Sequence, residues 1–359
     1  MQLKQIPDPV GGDVSVGAHG RGLNFPEEPP RPGKAIELAD GVLWMRLPVA
    51  GRLQHVNIYA LDDGDEWTLI DCGQQDAASM EALQALLSGP LRRKPVRNLV
   101  LTHHHADHAG GTASLVVQGA RPWASRAAWL HLRMLSLETP GTMLPTRTAF
   151  NRWLGMSSEE AAALAAAVKN LTLLAPTPPP GYRRLEEGQA LTMGRRSWRV
   201  RLGDGHAPEH ASFWSEDGSL VIIGDQALPS ISASLGVDVH EPHRDTVGDW
   251  LSASSRLGAL ADERRLVLPG HERPYRGLSF RLRQIADKHN AVLARLRSSL
   301  EIGPCTAMQT LKQALGDELL QEDSSAAAEV MAHLLHLEKR GEAVSQLGKD
   351  GALHFARAS

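Results

Sequence analysis

Residues 102 to 108 read Thr-His-His-His-Ala-Asp-His and follow directly on an apolar run, Leu99-Val100-Leu101. His103, His105 and Asp107 occupy alternate positions, with His108 beside the last, at the mouth of an expected strand. An ordinary core has no use for four such groups side by side, because burying each one costs desolvation that an aliphatic chain does not. Imidazole and carboxylate are the donors that zinc and related divalent ions accept. The segment therefore reads as a metal site, and its crowding as a site for two metals.

The whole chain agrees with an enzyme of ordinary composition. Its 359 residues suffice for one large domain and a smaller one. Apolar residues make up 42% and charged ones 22%, as in a soluble globular protein, and the net charge of −3 gives no general attraction to nucleic acid or anionic membranes. Two cysteines, Cys72 and Cys305, supply neither a disulfide framework nor a thiolate zinc knuckle. Met1–Pro32 lacks the apolar core of a signal peptide, and no run of about 18 apolar residues occurs. A cytoplasmic location is the expectation.

Three sections are expected: an extended arm over 1–34, a catalytic domain over 35–290, and a tail over 291–359. Short strands are predicted at Val42–Leu47, His55–Leu61 and Trp67–Ile70, a helix over 76–90, and the strand Val96–Leu101 that delivers the histidines. Gly110-Gly111 marks a helix start. Residues from about 125 to 175 form a helical cap, interrupted at Pro140 and Pro145 and closed by the stiff loop Pro176–Gly181. Strands resume at Ala190–Met193, Trp198–Leu202, Ala211–Trp214, Leu220–Ile223 and Leu266–Leu268, before a helix over Leu278–Leu300. In the tail, helices near 306–315 and 324–341 precede a hairpin of 343–346 and 352–356 turning at Lys349-Asp350-Gly351, the pattern of a winged-helix-like module.

Three more polar residues stand one to four positions past β-like apolar runs: His206 after Trp198–Leu202, Asp225 after Leu220–Gly224, and His271 after Leu266–Gly270. Sheets gather such strand ends at one edge, where loops hold functional groups on a rigid scaffold.

Together with the 103–108 motif, the segments Gly205-His206-Ala-Pro-Glu-His210, Gly224-Asp225, Pro269-Gly270-His271 and Leu69-Ile-Asp71-Cys-Gly73 resemble the metallo-β-lactamase superfamily over roughly residues 40–290. The resemblance implies an α+β fold, an αββα sandwich with the site at one edge of the two sheets. It implies that His103, His105 and His206 hold a first metal, that Asp107, His108 and His271 hold a second, and that Asp225 bridges both. His104 points away in this scheme. Asp71 accepts a hydrogen bond from a ligand imidazole and fixes its tautomer, and Cys72 is no ligand. The glyoxalase II-like branch with a winged-helix tail is the nearer likeness.

Two divalent ions lower the pKa of a shared water from 15.7 toward about 7, giving hydroxide that attacks a carbonyl or phosphoryl centre. Asp107 orients this nucleophile and shuttles its proton. Zinc is the default metal, and iron or manganese tolerates the same donors. The expected substrate is a small thioester, ester or lactone, and phosphodiester or RNA cleavage is the alternative. The run Arg183, Arg184, Arg195, Arg196, Arg199 and Arg201 could receive an anionic, acyl-CoA-like arm, but a solvated strand face is its commoner cause.

A third reading, nucleic-acid binding through the tail, meets the wrong charge. Residues 301–359 carry nine acids against five bases, a net of −4, whereas phosphate neutralisation needs cations. Packing or homodimerisation is the better role for the tail. His210 stands evenly between lining the site and stabilising its loop. His55 and Asn57 read as packing or turn residues, His240 and His243 as loop residues, and His289, His333, His336 and His354 as surface or satisfied structural histidines. Met134, Met143 and Met156 in the cap fit an adaptable apolar pocket or plain helix packing.

Overall fold

In the computed structural model, which describes residues 22–51, 53–167, 177–315 and 325–359, two sheets face each other. The first contains β1 (Ile36–Ala39), β2 (Val42–Pro48), β3 (His55–Asp62), β4 (Trp67–Ile70), β5 (Val96–Val100), β6 (Arg121–Ala124) and β7 (Arg183–Arg184), side by side in chain order. Strands β1 to β4 form an antiparallel meander, whereas β4 to β7 run parallel. Parallel neighbours need crossovers. These are α1 (Ala77–Ser88), the short α2 (Ala106–Ala109) and α3 (Thr112–Val117), and the cap helices α4 (Arg126–Leu137), α5 (Pro140–Trp153) and α6 (Ser158–Ala167). Asp76 and Ser125 cap α1 and α4 by accepting from Ser79 N and Ala128 N.

The second sheet contains β8 (Ala190–Met193), β9 (Arg196–Gly203), β10 (His210–Ser215), β11 (Leu220–Gly224) and β12 (Leu266–Pro269), ordered β12-β11-β10-β9-β8. Strands β11 and β12 are parallel, joined through α7 (Thr246–Gly258). The chain continues through α8 (Leu278–Ile302), α9 (Ala307–Leu315), α10 (Ser325–Lys339) and the hairpin β13 (Ala343–Leu347)–β14 (Leu353–Arg357).

Side-chain alternation creates the layers. On β3, Val56, Ile58 and Ala60 pack toward α1, α3 and α4 with Met45, Leu83, Leu115 and Trp129. Tyr59 and Leu61 face the other way, into an inter-sheet core with Trp44, Trp198, Val200, Phe213 and Ile222. Strand β11 repeats the rule, since Leu220 and Ile222 point inward while Val221 and Ile223 meet α7 and α8. Period-two alternation thus divides each strand between two cores. Each large buried side chain contributes about 1.5–3 kcal/mol. The result is a helix–sheet–sheet–helix order, the α+β sandwich expected.

The tail shares a core with the rest. Leu311, Met331, Leu334 and Phe355 join Trp250, Leu282 and Leu293, together with the cap residues Leu154, Met156 and Ala161. Met308 N donates to Leu154 O at 2.8 Å, and Arg152 reaches the Asp350 carbonyl. Helix α8 runs unbroken through residue 290.

Several expectations need correction. Pro145 does not interrupt the cap: it lies inside α5, near the N-terminus, where a missing N–H removes a single bond. Pro140 occupies the start of that helix, where proline is tolerated. Strands β1, β6 and β7 and helix α7 were not foreseen. Residues 1–21 of the arm, 168–176 at the end of the cap, and 316–324 before α10 lie outside the described residues. Arm residues 22–34 run against the sandwich, where Asn24 exchanges backbone bonds with Arg276. No helix among the described residues is long and apolar enough to cross a membrane.

Candidate metal centre

The histidine segment begins where β5 ends. Asp71 leaves β4 in the left-handed region (φ 57°), a conformation that turns its carboxylate onto the neighbouring strand end. Asp71 Oδ1 accepts from Thr102 N and Oδ2 from Thr102 Oγ1, both at 2.8 Å. Oδ2 also accepts from His108 Nδ1 at 2.8 Å. With Nδ1 committed there, His108 turns Nε2 to the opposite side.

The other imidazoles are fixed by the same device. His271 Nδ1 donates to the His55 carbonyl at 2.7 Å, His206 Nδ1 to the Ser234 carbonyl at 2.9 Å, and His103 Nδ1 to Thr102 Oγ1 at 3.0 Å. Each thereby turns Nε2 inward. His103 Nε2 lies 3.0 Å from His105 Nδ1, and His108 Nε2 lies 3.3 Å from His271 Nε2. Asp107 Oδ2 is 3.3 Å from His271 Nε2 and 3.7 Å from His108 Nε2. Asp225 Oδ2 stands 3.6 Å from His206 Nε2, 3.5 Å from His108 Nε2 and 3.3 Å from His271 Nε2.

The donor atoms fall into three overlapping groups: His103, His105 and His206; His103, His108 and Asp225; and Asp107, His108 and His271. Within each group the donor atoms lie within 4.8 Å of one another, a spacing that one divalent ion can bridge. Four donors about 2.0–2.1 Å from a tetrahedral zinc stand about 3.3 Å apart, close to the spacings found here. His206 Nε2 and Asp225 Oδ1 are moreover buried with no hydrogen-bond partner, which costs free energy unless another ligand meets them. The donor set fits divalent metal ions.

Charge divides the centre in two. Burial, reinforced by neighbouring imidazoles, holds His103 well below the usual histidine range and lowers His105 to about 3, so these two rings are neutral. In the second group burial is outweighed by carboxylates: Asp225, Asp107 and Asp71 hold His108 well above its usual range, and Asp225 and Asp107 push His271 up to about 10. The same pairings hold Asp107 and Asp225 below the usual carboxylate range despite their burial.

Gly270 makes this packing feasible. A Cβ there would lie 2.1 Å from Asp225 Oδ1 and 2.7 Å from His108 Cε1. His210 lies under the centre, stacked on His103 with ring centroids 4.7 Å apart, and its Nε2 accepts from Asp225 N at 3.1 Å. It supports the loop. Burial lowers it to about 3, which keeps it a neutral acceptor.

His104 stands outside the three donor groups. It lines a cavity of about 170 Å³ with His105, His206, Asp238, Glu241 and Arg244, and its ring lies 5.0 Å from that of His131 on α4. Residues 102–105 lie beyond the end of β5. Cys72 is buried, its thiol against the His108 carbonyl, and burial pushes it up to about 12. His240 ties the loop after Asp225 to the cap by contacting Asp238 and Glu138, while His243 packs on Trp153. His289, His333 and His336 are buried structural groups, and His354 pairs with Asp350 at the surface.

The arginine run is a paired strand face: Arg184, Arg196, Arg199 and Arg201 meet Glu186, Asp217, Glu216 and Glu187, Arg195 lies near Asp62, and Arg183 covers Trp123. Sequence reasoning missed Arg46, Tyr59, Thr102, His131 and Glu138. Polar Asn57 and Tyr59 at alternate positions of an otherwise apolar β3 were the available signal.

Known proteins bear on this geometry in three ways. The family profile "Metallo-beta-lactamase superfamily" matches residues 51–271. The chain is 26% identical over 334 residues to "Probable metallo-hydrolase YqjP" of Bacillus subtilis (strain 168), covering 88% of this chain and 98% of that protein. Among solved structures, a beta-lactamase domain protein from Burkholderia ambifaria is 30% identical with a TM-score of 0.79, covering 94% of this chain and 99% of its own. A metallo-beta-lactamase family protein from Thermus thermophilus is 25% identical with a TM-score of 0.73, covering 89% of this chain and 100% of its own. The chain belongs to the metallo-beta-lactamase superfamily and is a metal-dependent hydrolase.

Proposed function

We propose that the chain hydrolyses a small thioester, ester or lactone at a dinuclear centre. His103, His105 and His206 would hold one metal, Asp107, His108 and His271 the other, with Asp225 shared and zinc the first candidate. The observation that carries this reading is the position of Asp225 Oδ2, within 3.6 Å of donors from both groups. When bound, two such ions bring the pKa of water toward about 7 and offset negative charge growing on the substrate oxygen.

The chain's own residues supply the rest. Asp71, Thr102, Ser234 and the His55 carbonyl hold the imidazoles in one tautomer and orientation. Asp107 is a carboxylate at neutral pH, because His108 and His271 outweigh its burial. It orients the attacking water and relays the proton to the leaving group. The cavity beside His105 and His206 has room for a small acyl group.

Phosphodiester cleavage ranks second. Among the described residues lining the cavity, Arg244 is the one permanent cation, and Asp204 and Asp249 each hold it at 3.0 Å. The same shortage weakens the case for an anionic, acyl-CoA-like arm, since the strand-face arginines are already paired. Residues 1–34 as an arm, 35–290 as the catalytic domain and 291–359 as a winged-helix-like packing or dimerisation module remain our proposed organisation, with a cytoplasmic location and the glyoxalase II-like branch as the working assignment.

The test is metal analysis followed by a panel of acyl-CoA thioesters, neutral esters, lactones, a β-lactam and a phosphodiester. Acyl substrates should turn over, and Asp107→Ala and His108→Ala should each lose at least about 100-fold in kcat. If both variants leave every activity unchanged, the reading is wrong; turnover of the phosphodiester alone would install the second reading.

A further inference from the structure

We infer that Asn57 and Tyr59 are positioning residues that clamp the loop carrying His271 and so set the affinity for the second metal. This rests on the reading of His271 as a ligand. Both lie on the side of β3 that faces the other sheet, where their side chains reach the Pro269 carbonyl.

Asn57 is 1% exposed, and a buried amide is costly unless its hydrogen bonds are made. Every one is made here. Its Oδ1 accepts from Trp44 Nε1 at 2.9 Å and Arg46 Nε at 3.1 Å. Its Nδ2 donates to the carbonyls of Pro269 at 2.9 Å and Glu272 at 3.2 Å. Its backbone N donates to Gly270 O at 2.7 Å. Tyr59 Oη donates to Pro269 O at 2.7 Å, which saturates that carbonyl.

One sheet thus grips the carbonyls on both sides of His271, at the end of β12 and in the loop that follows it. Glu272, just beyond, adopts φ 65°, a strained conformation for a residue with a side chain. It persists because the surroundings over-determine it. His55 Nε2 accepts its N–H at 3.0 Å, Arg46 and Asn57 bind its carbonyl, and Ser230 N donates to its carboxylate at 2.8 Å. With residues 269, 270 and 272 fixed, the His271 ring is left little freedom to turn. Among the described residues, no hydrogen bond from β3 reaches the side chain of His103 or His105, whose segment is held by Asp71 and Thr102.

The distinguishing experiment is stepwise Co2+ titration of the metal-free protein, read by visible absorption and equilibrium dialysis, on wild type, Tyr59→Phe, the double variant Tyr59→Phe/Asn57→Ala, and His271→Ala. Tyr59→Phe keeps the ring in the inter-sheet core and removes only the hydroxyl. The expected result is a second-step dissociation constant raised about tenfold in Tyr59→Phe and up to about 100-fold in the double variant, with the first step within about twofold of wild type. Equal weakening of both steps, or an unchanged second step, overturns the clamp while His271→Ala still binds one ion. If His271→Ala binds two ions with wild-type constants, the ligand reading itself fails, and the clamp with it.

Discussion

Asp71 and His108 are joined by a 2.8 Å hydrogen bond, although 37 positions separate them in the chain. The same carboxylate holds Thr102 by two further bonds and adopts a left-handed backbone to do so. One side chain therefore anchors the start of the histidine segment and sets the tautomer of its last member. Asp71→Asn should weaken metal binding about 10- to 100-fold, because an amide keeps one acceptor oxygen and turns its NH2 on one of the donors that both carboxylate oxygens now accept from. Competition against a chelator of known affinity measures this, and an unchanged affinity would show the bond to be incidental.

Gly270→Ala tests the closeness of the packing. A methyl there meets Asp225 Oδ1 and His108 Cε1, both well inside contact distance. The variant should fold with an unchanged far-UV spectrum, lose about 1–3 kcal/mol of stability, and retain less than one metal of the second kind per chain. Full stoichiometry by elemental analysis would contradict the account.

The strand ends were legible because each functional residue follows a short apolar run, and the runs were visible without tertiary information. Strands β6 and β7 were not, since one carries Pro122 in four residues and the other consists of two arginines defined only by pairing with Trp123 and Ala124. Helix α7 held a readable stripe in Val247, Trp250 and Leu257, obscured by its Gly and Ser residues. His289 falls at helical spacing between Ile285 and Leu293, so its burial was also readable. The place of His104 beside the cavity was not readable, because residues 102–105 lie past the end of β5 and follow no strand alternation. The clamp of Asn57 and Tyr59 depends on contacts more than 200 positions away, which no local pattern reports.

Acid should destabilise the region where α7, α8 and α10 pack. His333 Nδ1 donates to the Glu329 carbonyl at 2.7 Å, and His289 Nδ1 donates to His333 Nε2 at 3.0 Å, a chain that needs neutral rings. Burial lowers His289 to about 3 and His333 to about 4. Because the folded values lie below the unfolded value of about 6.5, stability is complete above that pH and falls as the pH drops toward the folded values. At pH 5 the loss is about 2 kcal/mol per histidine. Thermal melts from pH 7.5 to 5 should show this slope, and His333→Gln should flatten it.

Metal binding should release protons. At neutral pH the neighbouring carboxylates keep His108 and His271 protonated, burial notwithstanding, so an ion must displace those protons to reach their lone pairs. Affinity for the second metal should therefore rise with pH between 6 and 8, by up to about tenfold per unit for each proton released. Calorimetric titration in buffers of different ionisation enthalpy counts the protons, and a count of zero would contradict the charge distribution described.

Seven side chains are proposed here to hold two metal ions around Asp225. Anomalous diffraction from crystals of the metal-loaded protein tests it most directly. Two peaks are expected, one among His103, His105 and His206 and the other among Asp107, His108 and His271, with the Asp225 carboxylate between them. A single peak, or peaks away from these donors, would contradict it.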